Sequence, residues 1–449
     1  MSPAEDTIAA LATPAGTGAL AVIRVTGPGA NRCMVEIFGQ SPPPRTATRG
    51  DYRDRAGELL DDVLFTFFAG PKSYTGEDLL EISGHGNPWI ALRLLDDLYG
   101  RGCRPAEPGE FTRRAFLNGR LDLSQAEAVM DLIGARSERA LAAAHQILRG
   151  ALGRELQGLT DRIVRALAAI EAQIDFPEED LPAEDRAGIG QELQLAVAAA
   201  DRLLATRPYG DLLRAGIKTV IVGEPNAGKS SLLNRLVGRD RALVSAEPGT
   251  TRDFIEERVI VGPHGLRLID TAGLNPAPAP LERLGMAKTA ECIEESDMVL
   301  VVLDGARPLP PLLGGGLADF DPARTLLVFN KSDLPAPAAA APAGWRTVRV
   351  SALTGAGWEE LGAAISGLAD QFRPLDLPDG VTINARHAHA LATTKECLCQ
   401  ALTKLESNMD TVLIASDLRA ALAAVGEIAG RIDNEQMLDL LFSIFCIGK

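Results

Sequence analysis

Hydrophobic positions change their period several times along the chain. From residue 1 to about 120 the apolar stretches are short and closed by turn residues. Ala19–Val25 ends at Gly27-Pro28, Val63–Phe68 ends at Gly70-Pro71, and Leu79–Ile82 stops before Gly84. These patterns predict strands. Trp89 to Leu98 is apolar at helical spacing, so the unit reads as α+β. From Leu121 the period lengthens. Leu141, Leu148, Leu152, Leu156, Leu159, Ile163, Leu167, Ile170 and Ile174 form one stripe, which predicts one long amphipathic helix or two in series, stopped by Pro177 and Pro182. A further helix is expected over about 187–206, ended by Pro208-Tyr209-Gly210.

Beyond Gly216 the pattern becomes strand, loop, helix in alternation, the mark of an α/β domain. Val220–Val222, Leu266–Ile269, Val299–Leu303 and Leu326–Phe329 are continuous apolar runs, as strands buried on both faces should be. Pro335–Pro342 is low in complexity and reads as a solvated loop. Helical periodicity returns after about 386 and lasts to the end. Neither helical block has a partner of its own, so 121–215 and 380–449 are expected to pack together around an inserted α/β domain at 216–379.

Composition narrows this picture. With 449 residues, two or three domains are expected, and 46% hydrophobic with 23% charged residues excludes a disordered or collagen-like chain. The net charge of −15 means that any RNA must be held by a local basic patch. The six cysteines include no C-x-x-C pair, which argues against a zinc ribbon or disulfide scaffold. The acidic start, Met1 to Asp6, offers no signal or transit peptide, and no run approaches the roughly 20 apolar residues of a membrane span. A cytoplasmic protein with no membrane partner is expected.

Gly223-Glu224-Pro225-Asn226-Ala227-Gly228-Lys229-Ser230 fits G-x-x-x-x-G-K-[ST] between an apolar strand and the helical Ser231–Leu236. In such a loop the backbone amides and the helix N-terminus face phosphate oxygens, Lys229 reaches the β- and γ-phosphates, and the Ser230 hydroxyl binds Mg²⁺. Asn330-Lys331-Ser332-Asp333 follows a buried strand. The Asp333 carboxylate can accept from both guanine N1–H and N2–H, which favours GTP over ATP. Asp270-Thr271-Ala272-Gly273 would place Asp270 on the Mg²⁺ water shell and the Gly273 amide on the γ-phosphate. Thr250 and Thr251, in Gly249-Thr250-Thr251-Arg252-Asp253, lie where a mobile loop brings a threonine to Mg²⁺, and Ser351-Ala352-Leu353 suits the guanine carbonyl. These five motifs, which follow one another along the chain as 223–230, 249–253, 270–273, 330–333 and 351–353, predict a Ras-like P-loop G domain. Leu274 stands where many such enzymes have a water-orienting glutamine, so hydrolysis needs another residue, an ion or a partner. Glu282 is either that residue or a solvated helix-start glutamate.

Over nearly its whole length the chain resembles the tRNA-modifying GTPase family known as MnmE or TrmE. The resemblance is carried by Asp6-Thr7-Ile8 with Ala12-Thr13-Pro14, by Tyr74-Thr75-Gly76-Glu77-Asp78, and by Pro108–Gly119. Asp122–Ala128 and the terminal Phe445-Cys446-Ile447-Gly448-Lys449 complete it. It implies an N-terminal tetrahydrofolate-binding and dimerising α+β domain (1–120), a discontinuous all-α helical domain (121–215 and 380–449) and the inserted G domain (216–379). It also implies work with an MnmG-like flavoprotein, in a heterotetramer, on C5 of the wobble uridine of certain tRNAs. A carboxymethylaminomethyl or aminomethyl group is added there. The one-carbon unit would come from 5,10-methylene-tetrahydrofolate, with 5-formyl-tetrahydrofolate as its analogue, and FAD and NADH would enter only through the partner.

Hydrolysis in the resemblance is activated by K⁺ when two G domains of a homodimer meet. Asn226 and the region of Ser245, Glu247 and Thr250 would hold K⁺, with Ser230 and Thr251 on Mg²⁺. Glu282 matches the water-orienting glutamate, and Lys229 and Thr251 complete the catalytic set. The nucleotide set is Gly223, Asn226, Ala227, Gly228, Lys229, Ser230, Ser231, Ser245, Thr250, Thr251, Asp270, Thr271, Ala272, Gly273, Asn330, Lys331, Asp333, Ser351, Ala352 and Leu353. Folate would meet Arg24, Glu81, Arg120 and Lys449; a carboxylate such as Glu81 can accept from the N–H edge of a pterin, while cations pair with folate carboxylates.

Three further features stay open at the level of sequence. Cys446 is either a nucleophile or a packing and folate-lining residue, its apolar neighbours acting to raise a thiol pKa. His85, between Gly84 and Gly86, is either a base or a turn histidine satisfied by backbone. Arg101, Arg104, Arg113, Arg114 and Arg120 form the densest basic cluster, which either meets RNA phosphate or is solvated surface.

Overall fold

A computed structural model describes residues 6–175, 183–240, 256–270, 291–308, 320–335, 343–374, 380–430, 435–443 and 445–448. Two compact units divide the chain: Met1–Met130 with Gly426–Lys449, and Asp131–Val425.

The first unit is built on a six-stranded sheet of β1 (Ile8–Leu11), β2 (Leu20–Thr26), β3 (Thr48–Arg53), β4 (Leu59–Phe68), β5 (Leu79–His85) and β6 (Arg104–Pro105). Its order is β3-β4-β5-β2-β1-β6, antiparallel except for the β1–β6 pair. Alternation in β4 sends Asp61, Val63, Phe65 and Phe67 inward. Ile23, Val25, Phe65 and Ile82 pack there with Met34 of α1 (Ala30–Phe38) and Leu98 of α2 (Pro88–Gly100). On the opposite face Ile8, Ala10, Leu79, Ala106 and Phe111 form a smaller core; Phe111 comes from α3 (Glu110–Leu117). α4 (Leu123–Gly134) contributes Leu123 and Ala126 to a third cluster with Leu438, Phe442 and Phe445, from α13 (Glu435–Ser443) and the tail after it. Gly109 is held in the left-handed region (φ 67), and a Cβ there would press on Phe442 and Phe445, so the Pro-Gly-Glu-Phe turn is shaped by the chain's last segment.

Four of the five clustered arginines are committed to carboxylates. Arg101 bonds Asp97 (2.6 Å), Arg113 pairs with Asp439 (2.9 Å), and Arg104 bonds Asp6 and Glu110 (2.7 and 2.6 Å). Arg114, 3% exposed, bonds Asp6 (2.6 Å), Glu110 (2.9 Å) and Glu77 (3.2 Å). Only Arg120 of the five is exposed. The cluster is therefore mainly an internal brace, neutralised by Asp97 and Glu110 nearby in sequence and by Asp6, Glu77 and Asp439 brought to it by the fold.

In the second unit α5 (Glu138–Leu148), α6 (Ala151–Asp175), α7 (Ala183–Leu204), α8 (Arg207–Ala215), α11 (Ala385–Glu406) and α12 (Thr411–Ala429) form the helical part, which runs on through α12 to the unit's edge. The long stripe is two helices, broken at Gly150 with φ 79. Pro208 opens α8 instead of ending the previous helix; in the first turn its missing N–H has no helical partner to lose. The final helical stretch is also interrupted, at Ser407–Asp410, where Asn408 takes φ 54. α7 packs against α6 and α11, with Lys395–Asp201 (2.6 Å) and Arg419–Glu171 (2.8 Å) across the helices.

The α/β part has β7 (Ile217–Gly223), β8 (Glu256–Val261), β9 (His264–Asp270), β10 (Met298–Asp304), β11 (Thr325–Asn330) and β12 (Arg346–Arg349) in the order β12-β11-β10-β7-β9-β8. Only β8 runs antiparallel to its neighbour. Leu232 and Leu236 of α9 (Lys229–Asp240) and Leu361 and Ile365 of α10 (Trp358–Ala369) cover one face, over Ile221, Leu300 and Val328. Five parallel strands thus deliver their carboxyl ends to one edge, where ligands of open α/β sheets bind.

Replacing Arg114 by methionine should destabilise the first unit by about 3–5 kcal/mol, since it strands buried carboxylates. Burial alone would raise the Asp6 and Glu110 carboxyls, but hydrogen bonds from Arg104 and Arg114 outweigh it and leave both below their ordinary values. Their contribution is complete above the unfolded carboxylate range of about 4 and is lost as pH falls through the depressed folded values. Urea unfolding between neutral and acid pH should show this slope in the native chain and a flatter one in the variant. An identical slope in the two would contradict it.

Candidate nucleotide site and its surroundings

The phosphate loop leaves β7 at Gly223 and enters α9 at Lys229. Three residues in it take positive φ: Gly223 (149), Asn226 (66) and Gly228 (96). A Cβ on Gly223 would run into the Val302 carbonyl of β10, and one on Gly228 into the Asn330 side-chain amide. The first and last glycines are therefore demanded by the neighbouring strands as well as by the turn. The half-buried Lys229 ammonium donates to the carbonyls of Gly223 and Glu224, both at 2.9 Å, which curls it over the loop. Ser230 and Ser231 are exposed at the start of α9, where unpaired amides favour an anion.

The Asn330 amide joins three loops. Its Nδ2 donates to the Ala227 carbonyl (2.9 Å) and its Oδ1 accepts from the Ala352 N–H (2.9 Å), while the residue is only 2% exposed. Lys331 has φ 63, and its ammonium bonds Asp304 at the end of β10 (2.8 Å). Burial would raise the Asp304 carboxyl, but the Lys331 bond, with the Ala306 N–H, leaves it lowered and charged. Asp333 is exposed beside them. Arg235 of α9 donates to the carbonyls of Ala352 and Leu353 (2.7 and 2.9 Å) and stacks over Trp358. Phosphate loop, Asn330–Asp333 and Ser351–Leu353 are thus one bonded assembly at the strand ends. Asp304 and Arg235 are parts of it that motif reading misses, because neither stands inside a recognisable motif.

Asp270 closes β9, one strand from the loop, opposite Ile221 in register. Ser245, Glu247, Thr250, Thr251, Thr271, Ala272, Gly273, Glu282 and Lys449 lie outside the described residues.

In the first unit Arg24 and Glu81 face each other in the β2–β5 register and bond at 2.8 Å, with side chains 24% and 28% exposed. The Arg24 guanidinium lies 5.9 Å from the centre of the Tyr74 ring, whose hydroxyl meets Thr112 (2.9 Å). The Thr75-Gly76 turn touches the 118–120 segment: Asn118 donates to the Thr75 carbonyl (2.7 Å), and a Cβ on Gly76 would crowd Asn118 and Arg120. The tail reaches the same sheet. A Cβ on Gly448 would run into Leu11 and Ala12 at the end of β1, whose Ala10 is the register partner of Arg24. Cys446 is exposed, and its carbonyl accepts from Gly109 N–H (3.3 Å). Arg24, Glu81, the turn beside Arg120 and the tail therefore share one end of the sheet.

A phosphate loop, a guanine-type base loop and the Ras-like strand order define a P-loop GTPase, in a chain that also holds a helical part and an α+β unit. A family model described as MnmE helical domain matches residues 123–446, and one described as GTP-binding protein TrmE N-terminus matches 7–120. The chain is 59% identical over 452 residues to the tRNA modification GTPase MnmE of Opitutus terrae, with 100% of each covered. It is 44% identical over 461 residues to that of Akkermansia muciniphila, again with 100% of each covered. With that of Symbiobacterium thermophilum it shares 43% over 458 residues, covering 99% of this chain and 100% of the relative. The chain belongs to the MnmE family of tRNA modification GTPases. No helix among its described residues is long and apolar enough to cross a membrane.

Asp304→Ala should leave Lys331 without its anchor and weaken GDP binding by roughly tenfold, the scale of one charge-assisted hydrogen bond. The loss should appear in KM for GTP with kcat little changed. Stopped-flow with a fluorescent guanine nucleotide measures it, and unaltered affinity would show that Asp304 is dispensable to the base loop.

Proposed function

We propose that the chain is the GTPase of wobble-uridine modification, acting as a homodimer with an MnmG-like flavoprotein that brings FAD and NADH. The added group is carboxymethylaminomethyl or aminomethyl at uridine C5, built on a one-carbon unit from tetrahydrofolate. Membership of the family supports this reading, and the observation that carries the folate part is the convergence of Arg24, Glu81, Tyr74 and the tail on one end of the sheet. We likewise propose the division into a folate-binding and dimerising domain (1–120), a two-part helical domain (121–215 and 380–449) and a G domain (216–379), in a cytoplasmic setting.

In this reading the amides around Gly223–Ser231 bind the phosphates, Lys229 neutralises the β- and γ-phosphates, and Asp333 selects guanine. Asp270 would hold the Mg²⁺ water shell, and the Gly273 amide would meet the γ-phosphate. The donors available for the ions are hard oxygens, which suits Mg²⁺ at Ser230 and Thr251 and K⁺ at Asn226, Ser245, Glu247 and Thr250. A bound cation beside the phosphates would stabilise negative charge, the task an arginine performs in other GTPases. Glu282 would orient the attacking water, which Leu274 cannot do. For folate, the half-exposed Glu81 carboxylate suits the pterin N–H edge, while Arg120 and Lys449 would pair with carboxylates.

GTP turnover should be at least roughly tenfold faster in K⁺ than in Na⁺ at matched ionic strength, a barrier difference of about 1.4 kcal/mol. Asn226→Ala should erase the difference. Equal rates in the two salts would remove the ion from the mechanism. Glu282→Ala should lower turnover by about 10²–10⁴ with nucleotide binding intact. Glu81→Ala should lose 5-formyl-tetrahydrofolate in a calorimetric titration while hydrolysing GTP normally; retained folate affinity would move the folate site elsewhere.

A further inference from the structure

Asp61 lies on the inward face of β4 beside Val63 and Phe65, with its side chain 6% exposed. A carboxylate in that position is costly unless it is bonded. Its Oδ1 accepts from the Asp62 N–H (3.0 Å) and its Oδ2 from the His85 N–H (2.8 Å). Its side-chain partner is the His85 imidazole, Nδ1 to Oδ1 at 2.7 Å, and that ring is 69% exposed. An ion pair so open to water contributes little to stability, so folding alone does not account for a buried acid spent on it.

The backbone is shaped to keep this arrangement. A Cβ on Gly84 would press on the Asp61 carboxylate, and one on Gly86 would run into the Gly18 carbonyl. Gly18 N–H donates to Gly86 O (2.8 Å), and Gly86 N–H to Ala19 O (3.3 Å). His85 is consequently the only one of the three residues with a side chain, at the end of β5. Asp61 engages Nδ1, which settles the tautomer and leaves Nε2 for an outside partner. The hydrogen bond to Asp61, then its charge, and more weakly Asp62, raise the imidazole above its ordinary value. Asp62 is itself held by Arg49 (2.6 Å). In register Leu20 faces His85 and Arg24 faces Glu81, so the His85 backbone stands about 13 Å along the strands from the Arg24–Glu81 pair, four residues at 3.3 Å each, and its ring turns at the strand end to Asp61.

Resting on the modification reading above, we propose that His85 is the general base of the carbon–carbon bond-forming step on the tRNA base, with Asp61 as its positioning residue. Substitution at uridine C5 has a defined proton requirement. The C5=C6 π pair forms the bond to the methylene carbon of a folate-borne iminium, whose C=N π pair passes to the folate nitrogen. The C5–H bond then breaks, its electron pair restores C5=C6, and the proton passes to Nε2 of neutral His85. Asp61 stabilises the resulting imidazolium.

The test uses the full chain with its flavoprotein partner, GTP, a one-carbon tetrahydrofolate and unmodified tRNA, and reads the modified nucleoside by mass spectrometry. His85→Gln and His85→Asn should each lower product formation by roughly a hundredfold or more. Both should keep GTP turnover and 5-formyl-tetrahydrofolate binding. In the native chain the rate should rise with pH through the His85 titration. Asp61→Asn should move that inflection to lower pH and reduce the plateau. A readout independent of turnover is the imidazole ¹H–¹⁵N NMR titration of the chain's five histidines, assigned with His85→Gln. His85 should titrate above the ordinary value of about 6.5, and lower in Asp61→Asn. Native product formation with undiminished rates in both His85 variants would overturn the base assignment alone. Absence of product from the native chain would overturn the modification reading beneath it. A His85 titrating like free imidazole would overturn the dyad.

Discussion

One buried side-chain amide holds the nucleotide site together. Asn330 reaches from the end of β11 across β10 to the phosphate loop on β7, and back to Ala352 after β12. Asn330 is 2% exposed and Ala227 1%, so removing the amide would strand at least the Ala227 carbonyl away from water. Gly228 must lack a side chain because this amide fills the space. The glycine usually credited to phosphate geometry is thus equally a consequence of the Asn330 side chain. The Gly223–Ser230 loop and the Asn330–Asp333 loop are therefore tied together by this amide.

The same economy explains which parts were legible in the sequence. Gly223–Ser230, Asn330–Asp333 and the strands before them can be read from the chain because the motif residues are contiguous and the parallel strands are apolar on both faces. β8 was harder, since Glu256–Val261 mixes charge with apolar residues as an edge strand does. Asp304 and Arg235 were invisible for another reason. Each acts through a partner dozens of residues away, Lys331 or the Ala352 and Leu353 carbonyls, and local pattern carries no trace of that pairing. Pro208 misleads because a proline after a helical stretch ends one helix and starts another with equal ease, and only the next turn decides.

In the first unit charge density was the poor guide. Five arginines within twenty residues suggest a polyanion surface, yet Asp6, Glu77, Asp97, Glu110 and Asp439 absorb four of them. Two of those acids lie about a hundred residues or more from their arginines in sequence, beyond any window that scores local charge. His85 is the converse case. Flanking glycines read as a turn, whereas the structure uses them to press a strand end onto Asp61. A histidine that looks incidental in sequence is the one for which the fold buries an acid.

The β8–β9 hairpin is where the nucleotide edge and the helical part of the second unit meet through specific bonds. Its strands border 241–255 and 271–290, the segments that carry the threonine and D-x-x-G motifs. Its turn is tied the other way. The Pro263 carbonyl accepts from the Arg139 N–H of α5 (3.3 Å), and Asp370 bonds the Arg139 side chain (2.5 Å) while lying 3.2 Å from His264. Burial, the largest influence on His264, lowers its pKa, so near neutral pH it meets Asp370 uncharged and the ionic part of the contact belongs to Arg139. A β-hairpin is stiff along its strands, and its antiparallel ladder here runs unbroken from Glu256–Ile269 to Val261–His264. A shift of the hairpin at its nucleotide end therefore has to strain or displace the Arg139 contacts at the other. The ladder thus joins the strand end that carries Asp270 to the Arg139 contacts of α5 through one continuous set of backbone bonds.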